Sequence, residues 1–122
     1  MKKVEAVIRP ERLQAVQDAL DTLGASGLTV TDVMGCGTQR GYTETYRGAR
    51  ANISLQRKVK VEAVVADAVL DSVVDAIAGA ARTGHVGDGK VFVLPVLDAV
   101  RIRSGERGEP ILRHHSPEHW GH

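Results

Sequence analysis

Apolar and polar residues alternate from the start of the chain. Val4, Ala6 and Ile8 are spaced by Lys3, Glu5 and Val7, which predicts a half-buried strand. Pro10 suits the first turn of a helix, where its missing N–H does no harm. Leu13, Val16, Leu20 and Leu23 then recur at helical spacing, and Gly24 predicts the stop. "GLTVTDVMG", Gly27 to Gly35, reads as a second strand rich in β-branched residues. From Gly37 to Gln56 no apolar period is visible, which predicts a long loop of the kind that is usually functional. Alternation resumes in a third strand, Lys58 to Val65. Asp67 is then expected to cap a second helix that buries Leu70, Val73, Val74, Ile77 and Ala81. "KVFVLPV" predicts a fourth strand and "AVRIR" a short fifth.

The predicted order is β-α-β-β-α-β with a short extra C-terminal strand. Two helices covering one face of an antiparallel sheet give an α+β, ferredoxin-like fold. The opposite face carries Lys3, Glu5, Thr29, Thr31, Lys60 and Glu62 among apolar neighbours, a mixture that suits solvent or a subunit interface.

Composition narrows the class. The 122 residues are 43% hydrophobic and 25% charged, as in a single soluble domain, and the formal charge is +1. Bulk electrostatics therefore point to neither nucleic acid nor membrane. No apolar run approaches a membrane span, and the N-terminus lacks the apolar core of a signal peptide, so direct membrane insertion is not expected. Cys36 is the single cysteine and cannot form an intrachain disulfide, which suits the cytoplasm.

The chemistry concentrates in "TGHVGDGK", Thr83 to Lys90. The segment formally contains the Gly-x-x-x-x-Gly-Lys part of a P-loop. However, Val91 stands where a magnesium-binding hydroxyl is required, and the loop follows a helix rather than a strand. A P-loop ATPase is excluded. An anion cradle built from Gly87, Gly89 and Lys90 survives as one reading, beside a plain glycine turn with a solvated lysine. Arg101 and Arg103, on one face of the predicted fifth strand and roughly 7 Å apart, suit a di- or triphosphate or simply protect a sheet edge.

Taken together, "GLTVTDVMGCGTQRG", "YTETYRGA", "TGHVGDGKVFVLPV" and "RIRSGERGE" resemble the nitrogen-regulatory PII signal-transduction proteins, in motif order and spacing, over residues 1–109. The resemblance implies a homotrimer of ferredoxin-like subunits with nucleotide sites in the clefts between them. It makes residues 37–56 the T-loop that docks on target proteins. It places Gly87, Asp88, Gly89 and Lys90 at the phosphates of ATP or ADP, with Arg101 and Arg103 reaching in from the neighbouring subunit and Thr29 and Val64 near the adenine. It assigns Gly37, Gln39, Arg40, Gly41 and Lys58 to 2-oxoglutarate, Gln39 also to the magnesium ion, and Tyr46, Arg47, Gly48 and Arg50 to partner docking. An amide oxygen is a hard ligand suited to magnesium, and a lysine pairs with a dicarboxylate.

The chain departs from the family pattern at informative places. Thr38 stands where relatives carry an arginine near the phosphates, which bears on ATP-versus-ADP preference. The common "YRGAEY" becomes "YRGARA", so Ala51 replaces the tyrosine that many bacterial members uridylylate, and Ala49 stands where some relatives carry a phosphorylated serine. Between Thr38 and Lys58, four arginines and Lys58 face the single acid Glu44. That charge suits a protein partner with acidic or carbonyl acceptors: an ammonium channel or other transporter, which would recruit the protein to the membrane, or a nitrogen-regulatory enzyme. Only Tyr42 and Tyr46 could stack on bases there, which argues against nucleic acid.

The His-rich tail, residues 110–122, is expected to be disordered. His115 and His119 would share a face only on a helix, which Pro117 opposes, so a metal site is the lesser reading. Two alternatives stand beside the nucleotide and 2-oxoglutarate sensor. One is a divergent PII-like sensor of bicarbonate, another small anion or a metal. The other, ranked low, is a nucleotide-hydrolysing enzyme, since no base-activated nucleophile can be identified.

Overall fold

A computed structural model describes residues 1–25, 27–38 and 53–112. Four strands, β1 (Lys2–Ile8), β2 (Thr29–Thr38), β3 (Ile53–Val65) and β4 (Lys90–Pro95), form one sheet of order β2-β3-β1-β4 in which every neighbouring pair is antiparallel. Helices α1 (Leu13–Thr22) and α2 (Leu70–Ala81) pack on one face, each entered through a 3-10 turn, Pro10–Arg12 and Asp67–Val69. This is the expected ferredoxin-like βαββαβ arrangement.

The core follows the two predicted periods. From β1, Val4, Ala6 and Ile8 point under the helices, and from β3 so do Val59, Val61, Ala63 and Val65. Val16 and Leu20 of α1 and Val73, Ile77 and Ala81 of α2 close the layer. The two central strands are thus fully covered, while β4 overhangs. Val93, opposite Val4 on the helix side, remains 44% exposed. Gly24 ends α1 with φ +73°, the left-handed conformation expected of a helix stop.

On the other face, Lys3 Nζ bridges Glu62 at 2.7 Å and Glu5 at 3.4 Å. The hydrogen bond to Glu62 raises the Lys3 pKa, and the same bond lowers that of Glu62. Phe92 and Leu94, in register with Glu5 and Lys3, are half-exposed beside this charged cluster.

Three local expectations are corrected. First, β2 and β3 run beyond their predicted ends, pairing to Gly37↔Ser54 and Thr38↔Ile53, inside the segment expected to be loop. Antiparallel backbone pairing needs no apolar alternation, so periodicity could not reveal it. Residues 39–52 lie outside the described residues. Second, the fifth strand reduces to one bridge, Val100↔Arg107. The chain turns at once, with Arg101 N donating to Glu106 O and Gly105 N to Arg101 O, and Gly105 (φ +75°) supplies the conformation. Arg101 and Arg103 therefore do not share a strand face. Third, Asp67 does not cap α2. Its carboxylate instead pairs with the N-terminal ammonium at 3.2 Å and Lys2 Nζ at 3.0 Å. The tail is described only through Leu112, in the 3-10 turn Glu109–Leu112.

Candidate functional site

The connection from α2 to β4 is organised by the carboxylate of Asp88. It accepts hydrogen bonds from the amides of Thr83 (2.8 Å) and Gly84 (2.9 Å), from the Thr83 hydroxyl, and from Arg9 Nε at 3.0 Å. The Thr83 hydroxyl, then the Arg9 guanidinium, then the backbone amides hold this carboxyl well below the usual carboxylate range. Asp88 thus turns inward and builds the loop.

What the loop offers outward is backbone. Val86 and Gly87 form a hydrogen-bonded turn, and among the described residues the amides of Val86, Gly87 and Gly89 donate to no protein acceptor. Positive φ at Gly87 and Gly89, +101° at both, is the kind of backbone from which an anion-binding concavity of N–H groups can be built. Gly89 has a second reason to be glycine. A Cβ there would lie 1.7 Å from the Val7 carbonyl oxygen, so the loop crosses β1 at a distance no side chain permits.

Two lysines flank these amides. Lys90, exposed at the head of β4, is in register with Val7. Lys58 reaches across from β3 and donates from Nζ to Gly87 O at 2.5 Å. Its stem passes over Gly35 of β2, where a Cβ would meet Lys58 Cγ at 2.9 Å. The arrangement is a cationic, N–H-rich end of the sheet able to take a phosphate or carboxylate.

The structure therefore gathers Lys58, Gly87, Asp88, Gly89 and Lys90. The remaining candidates lie elsewhere. Val64 is opposite Lys3, four residues along β1 from Val7, about 13 Å by strand rise. Thr29 is on β2, at the sheet edge remote from β4. Arg101 belongs to the segment following β4, at the Val64 end, where Val96 N donates to Met1 O. Its guanidinium binds Glu106 Oε1 at 2.9 Å and Ile111 O at 3.1 Å, while Arg103 is exposed in the turn. Gly37 pairs with Ser54 about 13 Å along β2 from Val33, the partner of Lys58. Gln39, Arg40, Gly41, Tyr46, Arg47, Gly48 and Arg50 lie outside the described residues.

Sequence reasoning missed Arg9, and gave no role to Thr83 and Gly35, although both fall inside the motifs singled out. Arg9 left a trace only as a cation just before the proline that opens the 3-10 turn.

Comparison with known proteins identifies the family. The family model described as nitrogen regulatory protein P-II matches residues 1–106. Relatives named nitrogen regulatory protein P-II include one from Cereibacter sphaeroides, 50% identical over 109 residues (89% of this chain, 97% of the relative). One from Rhodospirillum rubrum is 49% identical over 108 residues (88% and 96%), and one from Microchaete diplosiphon is 53% identical over 107 residues (88% and 96%). With this coverage and a ferredoxin-like sheet carrying its glycine loop at the α2–β4 connection, the chain belongs to the nitrogen regulatory protein P-II family.

Proposed function

We propose that this P-II protein is a ligand-reading signal transducer that binds ATP or ADP at its glycine loop and 2-oxoglutarate beside Lys58. The observation that carries the reading is the glycine loop, whose Val86, Gly87 and Gly89 amides have no acceptor among the described residues, with Lys58 and Lys90 beside it. Those amides and Lys90 suit the phosphates. Lys58, already held to the loop through Gly87 O, suits a carboxylate of the second ligand. Magnesium, when bound, would supply positive charge that offsets the anionic oxygens of the ligands. The resemblance makes Gln39, outside the described residues, the ion's protein ligand, an amide oxygen being a hard ligand suited to magnesium.

The separation of the candidates supports a trimer. Lys58 and Gly87–Lys90 occupy one end of the sheet, whereas Val64 and Arg101 occupy the other. The two ends lie about 13 Å apart along β1, and a neighbouring subunit presenting its opposite end would bring a second set of candidates to the loop. The T-loop then docks on a partner, an ammonium channel or other transporter, or a nitrogen-regulatory enzyme. Each ligand state favours the loop geometry it fits better. Among the described residues no helix is long and apolar enough to cross a membrane, so membrane recruitment would pass through such a partner.

Calorimetry tests this. ATP and ADP should compete for one site per subunit, and 2-oxoglutarate should bind only with magnesium and ATP present. Binding of 2-oxoglutarate that ignores both Lys58→Ala and Gln39→Ala would refute the site assignment.

A further inference from the structure

The segment "RPER", Arg9 to Arg12, joins β1 to α1 and lies outside every group assigned to a ligand above. Pro10 sets its 3-10 turn, with Arg9 extended just before it and Arg12 at its end. Both arginines reach the α2–β4 connection. Arg12 donates from Nε (2.9 Å) and Nη2 (2.7 Å) to Ala80 O, in the last turn of α2, where carbonyls lack helical partners. Arg9 donates from Nη2 to Val86 O at 2.7 Å and from Nε to Asp88 at 3.0 Å. One guanidinium thus fixes the end of the helix that leads into the glycine loop, and the other holds its middle.

We infer that Arg9 and Arg12 are positioning residues that preset the glycine loop for its anionic ligand. Three consequences of the geometry carry this. Arg9 holds the carbonyl of Val86, so the Gly87 N–H of the same planar peptide points away from Arg9. It neutralises Asp88, whose charge would otherwise stand within the loop that receives an anion. It also packs against Gly87, where an added Cβ would come within 3.2 Å of the Arg9 guanidinium, so the loop closes down on it. A preformed cradle binds more tightly because less ordering is left for the ligand to impose.

The inference rests on the nucleotide-binding reading, but one of its two measurements does not. In the nucleotide-free full-length chain, Arg9→Met should accelerate hydrogen exchange of the Thr83 and Gly84 amides at least tenfold. Amides of the central strands should stay protected. In titrations, the same variant should bind ATP at least tenfold more weakly. Arg9→Lys should recover part of that loss, because an ammonium can pair with Asp88 but cannot hold Val86 O with a second, fixed arm. Arg12→Met should weaken ATP less than Arg9→Met, since the Arg12 guanidinium bonds to the end of α2 rather than to the loop itself. Unchanged exchange at Thr83 and Gly84 in Arg9→Met overturns the clamp whether or not the parent protein binds nucleotide. Parent-like ATP affinity in Arg9→Met overturns its role in binding. A parent protein that binds no ATP overturns the proposed function and leaves the exchange result to judge the clamp.

Discussion

Gly89→Ala puts the close crossing of loop and sheet to a direct test. At φ +101° an L-residue is strained, at a cost of roughly 1–2 kcal/mol. The new methyl carbon would also lie 1.7 Å from Val7 O and 2.9 Å from the Val7 carbonyl carbon. Backbone on both sides prevents local relief, so the loop must lift away from β1 and take the start of the Val7↔Lys90 pairing with it. Losing one or two such hydrogen bonds adds about 0.5–1.5 kcal/mol each, for a total of roughly 1.5–5 kcal/mol. Gly84→Ala is the matched control. Its φ is +90°, yet nothing lies within 4 Å of the added carbon, so only the conformational cost of roughly 1–2 kcal/mol applies. Urea unfolding by linear extrapolation, at one fixed protein concentration, measures both. Equal losses for the two variants would refute the steric argument and leave only backbone strain.

Further outcomes follow from the same geometry. Because the Asp88 carboxyl is depressed from its ordinary 3.8, its stabilisation is complete above that pH and is lost as pH falls toward the lower folded value. Asp88→Asn should therefore flatten the acid limb of urea midpoint against pH, and parallel limbs for the two proteins would contradict this. Ile77→Ala, emptying a side chain that is 1% exposed between α2 and the sheet, should cost about 2–5 kcal/mol in the same unfolding assay, a loss below 1 kcal/mol arguing against the assigned core. Incubation with a bacterial PII uridylyltransferase, UTP and magnesium should leave the intact mass unchanged, since position 51 is alanine; a uridylyl adduct on Tyr42 or Tyr46 would overturn that expectation.

Most of the architecture was legible because it is written in local periods. Val4, Ala6 and Ile8 alternate because a strand turns every second side chain to one face, and Val73, Ile77 and Ala81 recur because a helix returns every three to four residues. Gly24 and the glycines of "TGHVGDGK" announced positive φ for an equally local reason. The order and spacing of four motifs were enough to point to the family.

Tertiary structure alone decided which partners those residues meet. Arg9 and Asp88 are 79 residues apart in sequence, and no period links them; β1 and the loop become neighbours only because β4 pairs beside β1. Asp67 looked like a helix cap, but the N-terminus and Lys2 arrive beside it and take its carboxylate. Arg101 and Arg103 looked like a charged strand face, but Glu106 folds back to close a turn around them. Backbone conformation is set largely by each residue and its near neighbours. The partner of a charged side chain depends on which distant strand the topology lays beside it.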